Sequence, residues 1–277
     1  MPLIDPVTMA STLTKRGPGA AVAATVGTSS ASPLTTIEQA KDTTAVTYSL
    51  LPVKLNPTPL SQTLRHVHPL LLSALLAARF PALVSDPVAA MSGTILPITA
   101  ALQVAYAVVC LPVAGGASQS KSKKSKFKGA AGKSKATAGD GGNNAIVTAL
   151  LSLLLTAFSV PFLYITMILF GAPVLSHGAH TLLCAAQIAV LGLFPLFYVH
   201  GVDGSAWAAV GGFKAPLDQT FGGFVGALVG GWLGAVPIPL DWDREWQRWP
   251  VTILVGVFGG YVLGEALGGS VVWGKRF

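Results

Sequence analysis

Long apolar stretches separated by short polar segments dominate the chain after residue 66. A membrane-spanning helix needs about 20 apolar residues, and six stretches approach that length. They run over residues 67–84, 88–113, 145–170, 177–199, 219–238 and 250–268. The first is the weakest, because Arg79 and Pro81 interrupt it. The pattern predicts an all-α, polytopic membrane protein with about six transmembrane helices.

Polar segments divide the rest of the chain. Residues 1–66 are rich in Ser, Thr, Ala and Pro without helical or strand periodicity, which predicts a mostly disordered tail. A low-complexity loop over residues 114–144 carries seven lysines between Lys121 and Lys135. The six-helix domain is therefore predicted over residues 67–273, interrupted by that loop and followed by a short C-terminus, residues 274–277. Asp203 and Asp218 bracket another polar segment and are predicted helix caps.

The number and distribution of charged residues support a membrane protein and predict its orientation in the membrane. Only 10% of the residues are charged, against about 25% in an average soluble domain, which argues against an ordinary soluble enzyme. With six spans, one side of the membrane holds fifteen of the eighteen Lys and Arg residues. The positive-inside rule places that side, and both termini, in the cytosol. The net charge of +7 is thus a topology signal beside membrane lipid, and no nucleic-acid partner is predicted.

Two ladders of glycine mark the last two predicted spans. Each ladder has four glycines at a spacing of four residues, which keeps them on one helix face. Glycines on one face allow a second backbone to approach closely in lipid. The ladders predict either that the two spans pack as a hairpin or that one of them faces a partner protein. Their members are Gly222, Gly226, Gly230 and Gly234 in the first, and Gly256, Gly260, Gly264 and Gly268 in the second.

The segment between the ladders is rich in Trp, Pro and charge. Its tryptophans fit a membrane-interface belt, and its prolines end one span and begin the next. Three carboxylates there raise the alternative of a divalent cation site. Because Arg244 among them would neutralise or orient them, and the spacing is not that of an EF-hand, a salt-bridged turn is favoured. No metal and no cofactor is predicted. The candidate loop residues are Pro237, Pro239, Asp241, Trp242, Asp243, Arg244, Trp246 and Trp249.

The same segment carries a family resemblance. The run Gly234-Ala-Val-Pro-Ile-Pro-Leu-Asp-Trp-Asp-Arg244, followed by Trp246-Gln247 and Trp249-Pro250, resembles the signature of the PIG-F family. Gly260-Tyr261 and Gly264 continue the match, and residues 170–173 (Phe-Gly-Ala-Pro) give a weaker one. The resemblance extends over residues 67–268 in layout, but only the last third is motif-specific. Glu245 departs from the proline found in some members.

The resemblance implies a non-catalytic role. Family members are the small accessory subunits that stabilise large ethanolamine-phosphate transferase catalytic subunits, which modify mannoses of the glycosylphosphatidylinositol (GPI) glycan in the endoplasmic reticulum membrane. Two alternatives stay open on the residues alone. A membrane transporter or lipid-handling protein is suggested by Glu265, since an acid inside a span is costly and often functional. A stand-alone enzyme would have to use Asp241, Asp243 and Glu245.

Overall fold

The computed structural model describes residues 50–115, 141–240 and 242–276, which form helices and no strands. Most of the predicted tail, the lysine tract Lys121–Lys135 and the loop residue Asp241 lie outside the described residues. The helices in chain order are α1 (Pro59–Ser85), α2 (Pro87–Ala90), α3 (Leu96–Cys110), α4 (Gly141–Leu169), α5 (Gly178–Ile188), α6 (Phe194–His200), α7 (Gly204–Gly211), α8 (Gln219–Ala235) and α9 (Val251–Gly268).

Five helical segments in the described part of the chain are long and apolar enough to cross a membrane. They are α1, the continuous segments Pro87–Cys110 and Gly178–His200, the part of α4 from Asn144, and α9. The predicted fifth span forms α8, whose 17 residues stand at the lower limit for crossing a bilayer. The structure therefore confirms an all-α polytopic membrane protein.

The first span begins earlier than the hydropathy pattern predicted. The predicted boundary lay between residues 66 and 67, whereas α1 starts at Pro59. Thr58 caps it, because its hydroxyl accepts a hydrogen bond from the amide of Ser61 at 3.2 Å. The helix also continues past the predicted interruption at Arg79 and Pro81. Nε of Arg79 donates to the hydroxyl of Thr94 at 3.1 Å, so this polar group has a partner in the next span.

Two spans contain a short π-helical segment, Met91–Ile95 and Ala189–Leu193. In each case a proline follows two residues later, at Pro97 and Pro195. Proline lacks an amide hydrogen and its ring clashes with the carbonyl four residues earlier, so a locally wider turn lets the helix continue. The second of these spans, Gly178–His200, is the most enclosed of the five and forms the centre of the bundle.

Both predicted aspartate caps are confirmed. The carboxylate of Asp203 accepts from the amide of Ser205 at 2.9 Å and starts α7. Hydrogen bonds from the hydroxyl and amide of Ser205 hold the pKa of Asp203 below its usual value. Asp218 starts α8 and is buried, with one carboxylate oxygen accepting from the amides of Thr220 and Phe221, each at 2.9 Å. The Asp218 cap therefore fixes where the glycine-rich hairpin begins.

Candidate partner-binding site: the glycine hairpin

The two glycine ladders face each other along the seam between α8 and α9. These helices form the most extensive contact of any helix pair in the described residues. A Cβ built on Gly226 would overlap the carbonyl oxygen of Gly260 and lie 2.8 Å from the Cα of Gly264. The reverse holds for a Cβ on Gly260, which would overlap the carbonyl oxygen of Gly226. At this level the two backbones therefore touch without intervening side chains.

The same reciprocal contact repeats along the hairpin. Gly222 opposes Gly264, and Gly230 opposes Gly256. A Cβ on either member of each pair would meet the carbonyl oxygen of the other, so the Cα–H groups point at those oxygens. Such Cα–H···O contacts recur where helices approach closely, and each contributes roughly 0.5–1 kcal/mol. The ladders end against other backbone atoms, since Gly234 faces Thr252 and Gly268 faces Asp218.

The outer side of the seam is an open apolar groove of about 770 Å³. Its floor is formed by ladder glycines, and its rims carry aliphatic side chains of both helices. Leu263 is 64% exposed and Val229 is 50% exposed, so these rims have no cover from the described chain. Gly259 also lines the groove, and a Cβ there would meet nothing within 4 Å. This surface is suited to apolar contact with a partner of complementary shape rather than to catalysis.

The loop that connects α8 and α9 is organised by Gln247. Its amide nitrogen donates to the carbonyls of Pro237 and Leu240 at 2.8 and 2.7 Å. Its carbonyl oxygen accepts from the amide of Arg244 at 3.0 Å. One side chain thus ties the end of α8 to the short 3₁₀ turn Glu245–Gln247. The sequence placed Gln247 within the family signature but indicated no role for it, because its partners are backbone groups that only the folded loop brings near.

An ion pair lies in this loop among the residues that the structure describes. It joins Glu245 to Arg248, both of which are exposed. Asp243 adopts a left-handed backbone conformation, with φ of 48°. No three His, Cys, Asp or Glu side chains group as a metal site within the described ranges, which leave out Asp241.

The loop tryptophans have separate environments. The rings of Trp242 and Trp246 lie 5.7 Å apart. The indole nitrogen of Trp249 donates to the hydroxyl of Thr181 at 3.1 Å, which joins the start of α9 to α5. Pro237 and Pro239 follow directly after α8 and end it. Pro237 and Trp246 line the apolar groove, whereas Trp249 contacts α5, so the described loop candidates do not all converge on one pocket.

Glu265 lies inside the bundle, away from the lipid. It is 3% exposed, and one carboxylate oxygen lies 3.4 Å from Nδ1 of His68, which is 1% exposed. The His68 ring stacks on Tyr106, with centroids 4.3 Å apart, and meets the edge of Tyr261 at 6.2 Å. An acid inside a span is expected to pair within the protein. The sequence indicated Glu265 but not its partner on α1.

Comparison with known proteins identifies relatives of the whole chain. A family model described as GPI biosynthesis protein family Pig-F matches residues 67–269. The chain is 55% identical to glycosylphosphatidylinositol anchor biosynthesis protein 11 of Neurospora crassa, over 100% of both chains. It is 45% identical to the protein of the same name from Pyricularia oryzae, over 96% of this chain and 94% of that one.

A human relative is more distant. The chain is 33% identical to the human protein named GPI ethanolamine phosphate transferase, stabilizing subunit, over 40% of this chain and 51% of the human one. No solved structure matches the chain.

Proposed function

The chain belongs to the GPI biosynthesis protein family Pig-F, and from this membership we propose that it is a non-catalytic subunit of the ethanolamine-phosphate transferases of GPI-anchor assembly. In this role it stabilises the large catalytic subunits that add ethanolamine phosphate to GPI mannoses. The name of the human relative supports the role. Within the structure, the observation that carries it is the exposed apolar groove over a rigid glycine hairpin.

The occupant of the groove is a transmembrane helix of the catalytic subunit. Small residues on its floor let a second helix approach closely, which is how helices associate where lipid removes the hydrophobic driving force. The rims carry Val229 on α8 and Leu263 on α9, which form ridges that a facing helix can fit between. A floor of glycine backbone between aliphatic ridges suits a helix with small residues on its docking face.

The charge distribution orients this assembly. We place the protein in the endoplasmic reticulum membrane with both termini in the cytosol, since basic residues concentrate on that side. The loop between α8 and α9, with Trp242 and Trp246, then lies on the lumenal side. Mannoses of the GPI glycan would be modified on that side, by the lumenal domain of the partner.

Glu265 had suggested a transporter or lipid-handling protein. Its burial against His68 gives it a role in packing α9 onto α1, which requires no transported solute. The stabilising-subunit function is therefore the one that the structure and the relatives support best.

The test fills the groove without disturbing the hairpin. Gly259 lines the groove and has open space around it, so Gly259→Phe is expected to leave the subunit folded and to lower recovery of the catalytic subunit several-fold. The matched control is Leu150→Phe, which enlarges an exposed side chain on α4, away from the groove. The readout is quantitative mass spectrometry of the tagged chain purified from microsomes in mild detergent.

Three outcomes would contradict the proposal. Equal recovery of the catalytic subunit with Gly259→Phe and with unchanged protein would remove the groove as the docking site. Loss of co-purified phospholipid, with the catalytic subunit retained, would assign the groove to lipid instead. Absence of any ethanolamine-phosphate transferase in the unchanged preparation would contradict the function itself.

A further inference from the structure

A second pocket, of about 270 Å³, lies where α1, α8 and α9 meet at one end of the bundle. Arg65 projects from the second turn of α1, Gln219 is the first residue of α8, and Gly269 directly follows α9. The lining also includes Gln62 of α1, and Lys54 and Trp273 from the segments before α1 and after α9. The pocket therefore sits at the level where three helices leave the apolar region of the membrane.

Hydrogen bonds fix both flanking segments of this pocket. On the N-terminal side, the amide of Val53 donates to a carboxylate oxygen of Asp218 at 2.9 Å, and the amide of Asn56 donates to the carbonyl of Cys110 at 2.8 Å. These contacts fix the backbone on both sides of Lys54, which lies in the predicted tail and is exposed. On the C-terminal side, the amide of Gly274 donates to the carbonyl of Leu217 at 2.7 Å, which positions the adjacent Trp273.

The lining offers hydrogen-bond donors and positive charge. A terminal guanidinium nitrogen of Arg65 donates to the carbonyl of Gly269 at 2.8 Å, which orients the group and leaves its other N–H groups available. Gln219 is 5% exposed, and its carbonyl oxygen accepts from the hydroxyl of Tyr106 at 3.3 Å, which leaves its amide nitrogen as a donor. The ammonium of Lys54 makes no ion pair with any described carboxylate.

The carboxylate of Asp218, next to the pocket, already has hydrogen-bond partners on both oxygens. None of the described residues that line it carries a carboxylate. The neighbouring Asp218 uses one oxygen for the amide of Val53 and the other for the first turn of α8. Two cationic side chains, a buried amide and an indole ring thus line a space that has no carboxylate among its described lining residues.

We propose that this pocket binds the phosphate group of an anionic phospholipid. Lys and Arg recognise phosphate oxygens by charge-assisted hydrogen bonds, and a tryptophan at this depth suits the membrane interface. The volume is roughly nine times the 30 Å³ that one water occupies in the liquid, which admits a phosphate ester and part of its headgroup. The predicted cytosolic placement matches the leaflet that carries anionic lipid.

The experiment titrates the full chain in mild detergent with short-chain lipids and follows binding by native mass spectrometry. The probes are dioctanoyl phosphatidic acid, dioctanoyl phosphatidylcholine and inorganic phosphate. Phosphatidic acid is expected to bind most tightly. Lys54→Gln is expected to weaken it about fivefold, which corresponds to ~1 kcal/mol for one basic residue near an anionic surface. Lys214→Gln, which removes an exposed cation outside the pocket, is expected to have no effect.

Each alternative outcome overturns part of the assignment. Equal weakening by Lys54→Gln and Lys214→Gln would reduce the effect to general surface charge. Equal affinity for phosphatidylcholine would exclude a preference for an anionic lipid, and binding of inorganic phosphate at the same concentration would exclude lipid as the specific ligand.

Arg65→Gln also removes a contact with Gly269, so its result counts only if the variant unfolds at the same temperature as the unchanged chain. Recovery of the catalytic subunit is expected to stay normal with Lys54→Gln, because Lys54 lines this pocket and not the groove.

Discussion

Adjacent glycines on α9 offer a direct test of the backbone contact between α8 and α9. A Cβ on Gly260 would overlap the carbonyl oxygen of Gly226 and lie 2.8 Å from the Cα of Gly230. A Cβ on the neighbouring Gly259 would meet nothing within 4 Å. Both residues are inside the same helix, so replacement by alanine gives each the same gain in helix propensity, about 1 kcal/mol. The difference between the two variants therefore isolates packing across the seam.

The expected difference follows from the overlap. Alanine at position 260 forces the two backbones apart, and overpacking of this kind typically costs about 1–3 kcal/mol. We expect Gly259→Ala to be as stable as the unchanged chain or slightly more so, and Gly260→Ala to be less stable than Gly259→Ala by that amount. At about 2–4 °C per kcal/mol for a chain of this size, the two midpoints should be clearly resolved.

The buried cysteines supply the assay. Cys110 and Cys184 are free and buried, so a thiol-reactive dye reports unfolding of the detergent-solubilised chain during a thermal ramp. Gly226→Ala should resemble Gly260→Ala, and the two changes together should cost less than their sum, because they open the same contact. Equal midpoints for Gly259→Ala and Gly260→Ala would refute the close backbone approach between α8 and α9.

Two further predictions concern the connecting loop and the buried contact between His68 and Glu265. Gln247→Ala removes three hydrogen bonds to backbone atoms and is expected to increase proteolysis of the loop and to alter tryptophan fluorescence. Glu245→Ala breaks an exposed ion pair and should change little. Equal protease sensitivity of the two variants would contradict the role of Gln247. His68→Ala leaves Glu265 buried without the ring that lies 3.4 Å from its carboxylate and is expected to cost about 1–3 kcal/mol, the range for a buried polar group that loses its neighbour. Stability should be largely regained in the double variant His68→Phe, Glu265→Leu, and a double variant no more stable than His68→Ala would contradict the contact.

Several features of this protein could be predicted because they depend on residues close together in the chain. The turn after α4 follows from Gly171, which adopts a φ of 95°, and from Pro173 two residues later. The caps at Asp203 and Asp218 follow from side chains that bond to amides two or three residues ahead. Each of these signals is a property of a short peptide segment, so it can be recognised in the sequence without knowledge of the rest of the fold.

Features that join distant segments could not be predicted. Val53 bonds to Asp218, and His68 pairs with Glu265, although nearly two hundred residues separate the members of the second pair. The composition around Val53 resembled a disordered tail, and only contacts with α8 and α3 order it. The start of α1 at Pro59 was missed for the same reason, because hydropathy does not register a helix that extends beyond its apolar stretch.

The sequence by itself determined that this chain crosses a membrane as helices, since backbone hydrogen bonds in lipid must be satisfied within each segment. It also determined the glycine spacing of α8 and α9, and the resemblance carried by the loop between them. Only the tertiary structure decided which glycine opposes which, that the ladders face each other, and that an apolar groove remains outside them. Periodicity fixes a face of one helix, whereas the register between two helices depends on how both backbones fit together.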